Sequence, residues 1–199
     1  MGKQSAALAR AGSSTHDQAP PKRTIILVGF MGAGKTSVGK ELAGLLGWPF
    51  EDLDDRIQSR ERRTIEEIFH DSGEVEFRRC EHQALRELLS ESESGSQVIA
   101  LGGGAFAQTE NASLLQDGRI PSVFLDASVE ELFRRCQQQG LKRPLHQDET
   151  HFRKLYEMRR PLYMAATCRV ETGGKPVAAI AAEIAEAFDM IPRTNPETV

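Results

Sequence analysis

The stretch from Gly29 to Thr36, GFMGAGKT, constrains the fold of this chain more than any other part of the sequence. An apolar run, Thr24–Val28, predicts a buried strand before it, and apolar residues at helical spacing predict a helix over Lys35–Leu46 after it. A glycine-rich loop in this context can turn successive backbone N–H groups toward phosphate oxygens, where the helix dipole also favours an anion. The stretch therefore predicts a nucleotide-phosphate site, against the alternative of a plain turn with an incidental lysine.

The polar groups of this loop have separate predicted tasks. The Lys35 ammonium would reach the β and γ phosphates, and the Thr36 hydroxyl would ligate Mg²⁺. The residues predicted to contact the nucleotide are Gly32, Ala33, Gly34, Lys35, Thr36 and Ser37.

Strand-like and helix-like segments alternate from Arg23 onward. Further strands are predicted at residues 49–53, 97–101, 120–125 and 168–171. Further helices are predicted in several pieces over 54–89 with a break at Gly73, from 128 to about 138, over 150–160, and from Pro176 onward. Residues 64–67 and 128–131, TIEE and SVEE, have the pattern of capping boxes. The alternation predicts an α/β fold with a parallel sheet covered on both faces.

The two ends of the chain differ in composition and in apolar periodicity from the region between them. Residues 1–22 are rich in Ala, Ser, Gly and Gln without apolar periodicity, and residues 192–199 are a second loose end. We therefore predict one domain, 23–191, between two disordered tails. A transit peptide is an alternative for the first segment, although it has no apolar stretch.

Composition and charge exclude several classes of function. Lys and Arg total 25 against 29 Asp and Glu, a net charge of −4, whereas a general nucleic-acid binder usually carries a basic excess. No apolar run approaches the ~20 residues that span a bilayer. Cys80, Cys136 and Cys168 are too few and too scattered for a disulfide framework or a zinc site, so we predict reduced thiols in a cytoplasmic protein.

Two further clusters follow predicted strands, at the edge where α/β sheets bind ligands. Asp52 and Asp54 follow the second strand, and strand alternation would place them on one side. One carboxylate could hold Mg²⁺ through water and the other could accept a proton from an attacking hydroxyl, with helix capping as the alternative task. The run Gly102-Gly103-Gly104 ends the third strand and suggests close approach of backbone to a ligand, with a simple turn as the alternative.

Several short segments, in this order and spacing, resemble the motifs of the shikimate kinases, in the nucleoside-monophosphate-kinase-like branch of P-loop proteins. The matching segments are Gly29–Thr36, Asp52-Leu53-Asp54, Gly73-Glu74, Glu76-Phe77-Arg78-Arg79-Cys80-Glu81, Gly102-Gly103-Gly104, Arg143-Pro144-Leu145 and Arg159-Arg160-Pro161-Leu162-Tyr163. The resemblance extends from about Arg23 to Phe188. It implies a three-layer P-loop kinase fold with a five-stranded parallel sheet, a substrate-binding helical segment at about 54–90 and a lid at about 139–149.

The resemblance also implies a reaction and its catalytic groups. The γ-phosphate of ATP would pass to the 3-hydroxyl of shikimate, in chorismate and aromatic amino-acid biosynthesis. Lys35 and Arg143 would contact the transferring phosphate, and Thr36 and Asp52 would hold Mg²⁺, Asp52 through water. Asp54 would hydrogen-bond the shikimate hydroxyls and is the candidate base.

The remaining implied contacts divide between shikimate and adenine. Those to shikimate are a carboxylate clamp of Arg78 and Arg159, Glu81 orienting Arg78, the run Gly102, Gly103 and Gly104 against the ring, and Phe69 and Phe77 as apolar walls. Arg135 and the loop before Pro176 would flank the adenine.

Other interpretations belong to different classes. A gluconate kinase shares this fold class, but the three glycines and the Glu-Phe-Arg motif argue against it. A non-catalytic relative would be expected to lack Lys35, Asp54 or Arg143, and all three are present. The lid departs from the family pattern at His146, where a second leucine is common, and we assign that residue no role. We further expect a monomer whose partner is a small molecule, with no nucleic acid or membrane partner.

Overall fold

A computed structural model describes residues 23–91, 95–138 and 148–190 of the chain. Within these ranges, five parallel strands form one sheet in the order β2-β3-β1-β4-β5. The strands are β1 (Thr24–Val28), β2 (Phe50–Asp52), β3 (Gln97–Ala100), β4 (Ser122–Asp126) and β5 (Cys168–Glu171). This confirms the predicted α/β fold and its five-stranded parallel sheet. The predicted tails and residues 139–147 of the predicted lid lie outside the described residues.

The three central strands hold the core of the molecule. Every residue of β3 and β4, and every residue of β1 after Thr24, is buried. Since side chains alternate between the faces of a strand, both faces of the sheet must be covered at its centre. The register places Leu27 of β1 beside Ala100 and Val123, so the carboxyl ends of the central strands lie at one edge.

Seven helices and one 3₁₀ turn accompany the strands within the described ranges. The helices are α1 (Lys35–Leu46), α2 (Leu53–Glu61), α3 (Ile65–Glu91), α4 (Thr109–Asp117), α5 (Val129–Gln138), α6 (Glu149–Tyr163) and α7 (Val177–Ala187), and the 3₁₀ turn is Ala105–Ala107. None of these helices is both long and apolar enough to cross a membrane.

Local signals in the sequence fix several of these boundaries. Both predicted capping boxes begin a helix: Glu67 N donates to Thr64 Oγ1 at 3.2 Å, and Thr64 N donates back to Glu67 Oε2 at 2.7 Å. The second box keeps one of its two bonds, from Glu131 N to Ser128 Oγ at 3.3 Å. Gly73 breaks α3 as predicted, since its φ of 77° and ψ of 176° divide two helical pieces.

Two expectations about the elements were wrong, and one helix was not predicted. The second strand ends at Asp52 and Leu53 begins α2, so Asp54 lies in the first turn of a helix and strand alternation does not apply to it. Pro176 caps α7 in an extended conformation instead of being its first residue. Helix α4 was not anticipated, because its short sequence TENASLLQD carries too little apolar periodicity to mark it.

Candidate active site

The loop after β1 has the backbone that a phosphate cradle requires. Gly29, Gly32 and Gly34 have φ angles of 147°, 77° and 89°, a region that side chains with a β-carbon rarely enter. A β-carbon at Gly32 would also lie 2.7 Å from the Leu132 carbonyl oxygen. The Lys35 ammonium donates to the carbonyl oxygens of Gly29 at 2.9 Å and Phe30 at 3.1 Å, so it lies across the loop.

The first turn of α1 carries the other predicted phosphate contacts. Ala33 is buried under the loop, whereas Thr36 and Ser37 are exposed at the start of the helix. Gly34 is the N-terminal cap of α1, so the N–H groups of this first turn, which have no carbonyl partner within the helix, lie next to the loop.

Thr36 meets the end of β2. Its hydroxyl donates to Asp52 Oδ2 at 2.8 Å, and Asp52 Oδ1 accepts from the Asp54 N–H at 3.1 Å, which caps α2. The capping role and the predicted metal role thus involve different oxygens of one carboxylate. A hydroxyl and a carboxylate oxygen are the hard ligands that Mg²⁺ prefers. The described residues contain no cluster of three or more His, Cys, Asp or Glu side chains that could hold a metal ion.

The three glycines after β3 each face a different polar side chain. A β-carbon at Gly102 would lie 2.4 Å from Asp54 Oδ1, and one at Gly104 would lie 2.9 Å from both terminal nitrogens of Arg78. At Gly103 the nearest atoms, all 3.9 Å away, include Arg159 Nη1 and the Gly29 carbonyl oxygen. None of the three has a positive φ, so backbone conformation does not require glycine here. Space requires it at Gly102 and Gly104, whereas a β-carbon at Gly103 would make only ordinary contacts. The predicted base, both predicted clamp arginines and the phosphate loop therefore all lie close to this run.

Arg78 is held by two carboxylates of α3. Its Nη1 donates to both oxygens of Glu81, at 3.1 and 2.9 Å, and its Nε and Nη2 donate to Glu74 at 3.4 and 3.2 Å. The Glu81 side chain is 1% exposed whereas Glu74 is largely exposed. Burial raises the pKa of Glu81, and the Arg78 charge and hydrogen bonds act in the opposite direction. Asp54 raises that pKa further and Arg159 lowers it, so all four charges share one environment.

The arginine of α6 reaches the same glycine run from another direction. Arg159 Nη1 donates to the Gly103 carbonyl oxygen at 3.3 Å. The hydroxyl of Tyr163, four residues later in the sequence, donates to the same oxygen. Arg78 and Arg159 therefore approach two consecutive glycines from α3 and α6.

An aromatic pair lies beside Arg78. The rings of Phe69 and Phe77 are 4.5 Å apart between centroids, with Phe77 buried and Phe69 partly exposed. The Arg78 guanidinium lies 5.1 Å from the Phe77 centroid. The two predicted apolar walls are thus in contact with each other and with a predicted clamp residue.

Arg135 connects the phosphate loop to the segment before α7. It donates to the Gly32 carbonyl oxygen at 3.4 Å and to the Thr172 carbonyl oxygen at 3.0 Å. Glu131 holds the same guanidinium at 2.5 Å. Pro176 follows four residues after Thr172 in the sequence and caps α7.

Arg143, a predicted catalytic residue, lies outside the described residues. Two polar residues near the site, Asp126 and Tyr163, were not assigned a role from the sequence. Asp126 ends β4 nearly buried among charged partners, and a polar residue at a strand's carboxyl end is the signal that could have identified it. Tyr163 ends the family motif that begins at Arg159, and its spacing of four from Arg159 places both residues on one helix face.

Comparison with known proteins agrees with this geometry. The shikimate kinase family model matches residues 31–189. A shikimate kinase from Caulobacter vibrioides is 42% identical over 164 residues, which cover 80% of each chain. The structure of an Acinetobacter baumannii shikimate kinase in complex with shikimate is 38% identical, with a TM-score of 0.76, covering 84% of this chain and 93% of that one.

A kinase for another substrate is a more distant match. A Sinorhizobium meliloti gluconokinase structure is 20% identical with a TM-score of 0.52, so it shares the fold alone. A family model that spans most of the chain, together with relatives of this identity, places the chain within one family. By sequence and by fold, the chain belongs to the shikimate kinase family.

Proposed function

We propose that this chain transfers the γ-phosphate of ATP to the 3-hydroxyl of shikimate, giving ADP and shikimate 3-phosphate for chorismate and aromatic amino-acid biosynthesis. The observation that carries the proposal is the glycine run after β3. It brings a carboxylate, Asp54, and two guanidinium groups, Arg78 and Arg159, to one surface beside the phosphate loop. A small anion rich in hydroxyls is the ligand that such a set of charges would bind.

Arg78 and Arg159 would clamp the shikimate carboxylate. Planar guanidinium groups bind carboxylates through paired, charge-assisted hydrogen bonds. When shikimate binds, the buried Glu81 would keep both of its bonds to Arg78. The exposed Glu74 is the partner that the substrate carboxylate would replace. Phe69 and Phe77 would form an apolar wall beside the clamp.

Asp54 would orient the reacting hydroxyl. A sugar-like hydroxyl is far too weak an acid to ionise at neutral pH, so most of the rate enhancement would come from positioning and from charge stabilisation. Asp54 lies against Gly102, whose missing side chain leaves the carboxylate room to approach the glycine run. In this position the carboxylate also serves as the candidate base.

Lys35 would neutralise charge on the transferring phosphate. Thr36 and Asp52 would hold Mg²⁺, which when bound offsets the negative charge of the β and γ phosphates. Arg143, from the proposed lid at about 139–149, would contact the same phosphate. Arg135 and the loop before Pro176 would flank the adenine. Arg135 supports this by its bonds to Gly32 of the phosphate loop and to Thr172 at the start of the other loop.

We also propose a monomer that acts in the cytoplasm, without nucleic acid or membrane partners. Cys80 and Cys168, both among the described residues, are not part of a disulfide, which suits a reducing compartment. The domain would comprise residues 23–191, with the segment at about 54–90 as its substrate-binding part.

The direct test is ADP release from ATP and Mg²⁺, measured with shikimate, with gluconate and with neither. We expect release that depends on shikimate. Release with gluconate alone would contradict both the substrate and the arginine clamp. No release with either, despite measurable ATP binding, would indicate a non-catalytic member of the family.

A variant of the phosphate loop provides a second test. Lys35→Ala removes a cation that lies across the loop, so turnover should fall to background while the circular dichroism spectrum is preserved. Lys40→Ala is the matched control, because Lys40 is exposed on the same helix and lies outside the loop. Unchanged turnover in Lys35→Ala would refute the phosphate assignment.

A further inference from the structure

The carbonyl oxygen of Gly103 accepts hydrogen bonds from two side chains of α6. One donor is Arg159 Nη1, at 3.3 Å, and the other is the Tyr163 hydroxyl. Both donors are more than 50 residues away in sequence, at separations of 56 and 60. The glycine run is therefore tied to α6 at a single atom.

Tyr163 is placed so that its hydroxyl has little freedom. The side chain is 0% exposed, and its ring lies 5.3 Å from that of Phe124 on β4, between centroids. A buried hydroxyl without a partner would cost free energy, so this bond also keeps the ring in place. The tyrosine thus connects the sheet, α6 and the glycine run.

A fixed Gly103 carbonyl also fixes the next residue. The carbonyl of Gly103 and the N–H of Gly104 belong to one planar peptide unit, so they cannot rotate independently. Gly104 is the glycine that the Arg78 guanidinium approaches. An acceptor held by Tyr163 therefore sets the surface on which both clamp arginines lie.

We propose that Tyr163 is a positioning residue for shikimate: through Gly103 it holds Arg159 and the Gly103–Gly104 peptide in the arrangement that binds the substrate carboxylate. The inference rests on the proposed function, because it concerns the same site. The Tyr163 hydroxyl bonds to the glycine run and not to the phosphate loop, so we expect its removal to affect shikimate binding and not ATP binding.

The chain offers a matched control for this residue. Its two tyrosines, Tyr156 and Tyr163, lie on the same helix and both have partly or wholly buried rings. The Tyr156 hydroxyl donates to the Ala127 carbonyl oxygen at 3.1 Å and contacts Asp126 Oδ1 at 3.5 Å, away from the glycine run. A merely structural role would make the two Tyr→Phe variants behave alike.

The experiment measures steady-state kinetics of the full chain with Tyr163→Phe and with Tyr156→Phe. Loss of one hydrogen bond should raise the KM for shikimate about 3- to 10-fold in Tyr163→Phe, which corresponds to about 0.7–1.4 kcal/mol, with kcat and the KM for ATP within about 2-fold. Tyr156→Phe should leave the KM for shikimate unchanged. An equal effect of the two variants, or a parallel rise in both KM values of Tyr163→Phe, would overturn the proposal.

A spectroscopic readout covers the case in which Tyr163→Phe does not fold. Tyr156→Phe labelled with 3-fluorotyrosine has a single tyrosine, whose ¹⁹F resonance should shift on addition of shikimate but not of ADP. A resonance that shikimate leaves unmoved would overturn the positioning role. If the wild-type chain neither releases ADP with shikimate nor binds shikimate, both the proposed function and this inference are wrong. If the wild type is active but Tyr163→Phe has an unchanged KM for shikimate, only this inference is wrong.

Discussion

Glycine serves two different physical purposes among the residues of this site. In the phosphate loop it permits positive φ angles, as at Gly32 and Gly34. After β3 it leaves space, because a β-carbon at Gly102 or Gly104 would collide with Asp54 or Arg78. Substitution by alanine should therefore be harmful at Gly32 and Gly34 through backbone strain. At Gly102 and Gly104 it should be harmful because it displaces a charged side chain.

The clamp assignment makes a prediction about Arg78. Arg78→Ala removes a charge-assisted interaction worth about 1.5–3 kcal/mol, so the KM for shikimate should rise at least about 10-fold while the dissociation constant of ATP changes little. Titration calorimetry with each ligand separates the two effects. Arg79→Ala is the control, since the adjacent Arg79 is largely exposed and pairs with Glu76. A collapse of ATP binding in Arg78→Ala would show that the clamp is misassigned.

Tyr163 also predicts how stability changes in alkali. Burial raises its pKa to about 12, with Arg159 and Arg78 acting in the opposite direction, against about 10 in the unfolded chain. Because the fold favours the neutral phenol, its stabilising contribution is complete below about pH 10 and is lost as the pH rises toward about 12. Relative to Tyr163→Phe, the wild type should lose about 1.4 kcal/mol of unfolding free energy between about pH 9 and pH 11.

Urea denaturation of the two proteins at each pH measures this difference. Curves of unfolding free energy against pH that stay parallel would mean that the phenol is not buried in its neutral form. The comparison cancels the titration of lysines and of Tyr156, which both proteins share.

At the scale of elements, Asp126 connects β4 to its neighbours. Its Oδ2 accepts from Arg160 of α6 at 2.7 Å and from Arg169 of β5 at 2.9 Å. Its backbone carbonyl accepts from the N–H and the hydroxyl of Thr172, at 2.7 and 3.0 Å. Since Arg160 follows Arg159 in α6, this junction also secures the helix that carries a clamp residue.

Asp126→Asn should lower the free energy of unfolding without removing any group from the proposed active site. The carboxylate is 3% exposed but its partners are 36% and 47% exposed, so the arginines can recover hydration and the loss should be about 1–3 kcal/mol. Chemical denaturation measures it. Glu171→Gln, an exposed carboxylate that also contacts Arg169, should change stability by less than about 0.5 kcal/mol. Equal losses in the two variants would contradict the junction.

At the scale of the whole molecule, the strand order places the site. β1 lies between β3 and β4, so the phosphate loop emerges beside the glycine run after β3. Ligands of open α/β sheets bind where neighbouring connections leave such a crevice at the carboxyl ends of the strands. The proposed sites for the nucleotide and its acceptor therefore meet at the sheet centre, although their residues are far apart in sequence.

The domain assignment predicts that residues 1–22 are dispensable. Arg23 already contacts the domain, since its carbonyl oxygen accepts from Gln97 N at 3.0 Å and its guanidinium donates to the Phe188 carbonyl oxygen at 3.1 Å. Removal of residues 1–22 should leave Tm, kcat and both KM values unchanged. Removal of residues 1–25 is the contrasting variant, because it deletes Thr24 and Ile25 of β1, which pair with β3. A lower Tm or altered KM after the shorter deletion would refute the assignment.

The sequence by itself determined the features that depend on near neighbours. The phosphate loop, the capping boxes, the break at Gly73 and the alternation of strands and helices all rest on local spacing, and the order of motifs was specific enough to identify the family. The bounds of β2 and the existence of α4 were missed where a short segment carried too few apolar residues to reveal its period.

The tertiary structure alone decided which groups meet. That Gly102 faces Asp54, that Gly104 faces Arg78, and that Tyr163 and Arg159 share the Gly103 carbonyl depends on contacts between elements up to 60 residues apart. Local periodicity gives the face on which a side chain lies, but not the partner that packing brings to it. The sequence thus supplied the chemical groups, and the order of the strands in the sheet brought them together.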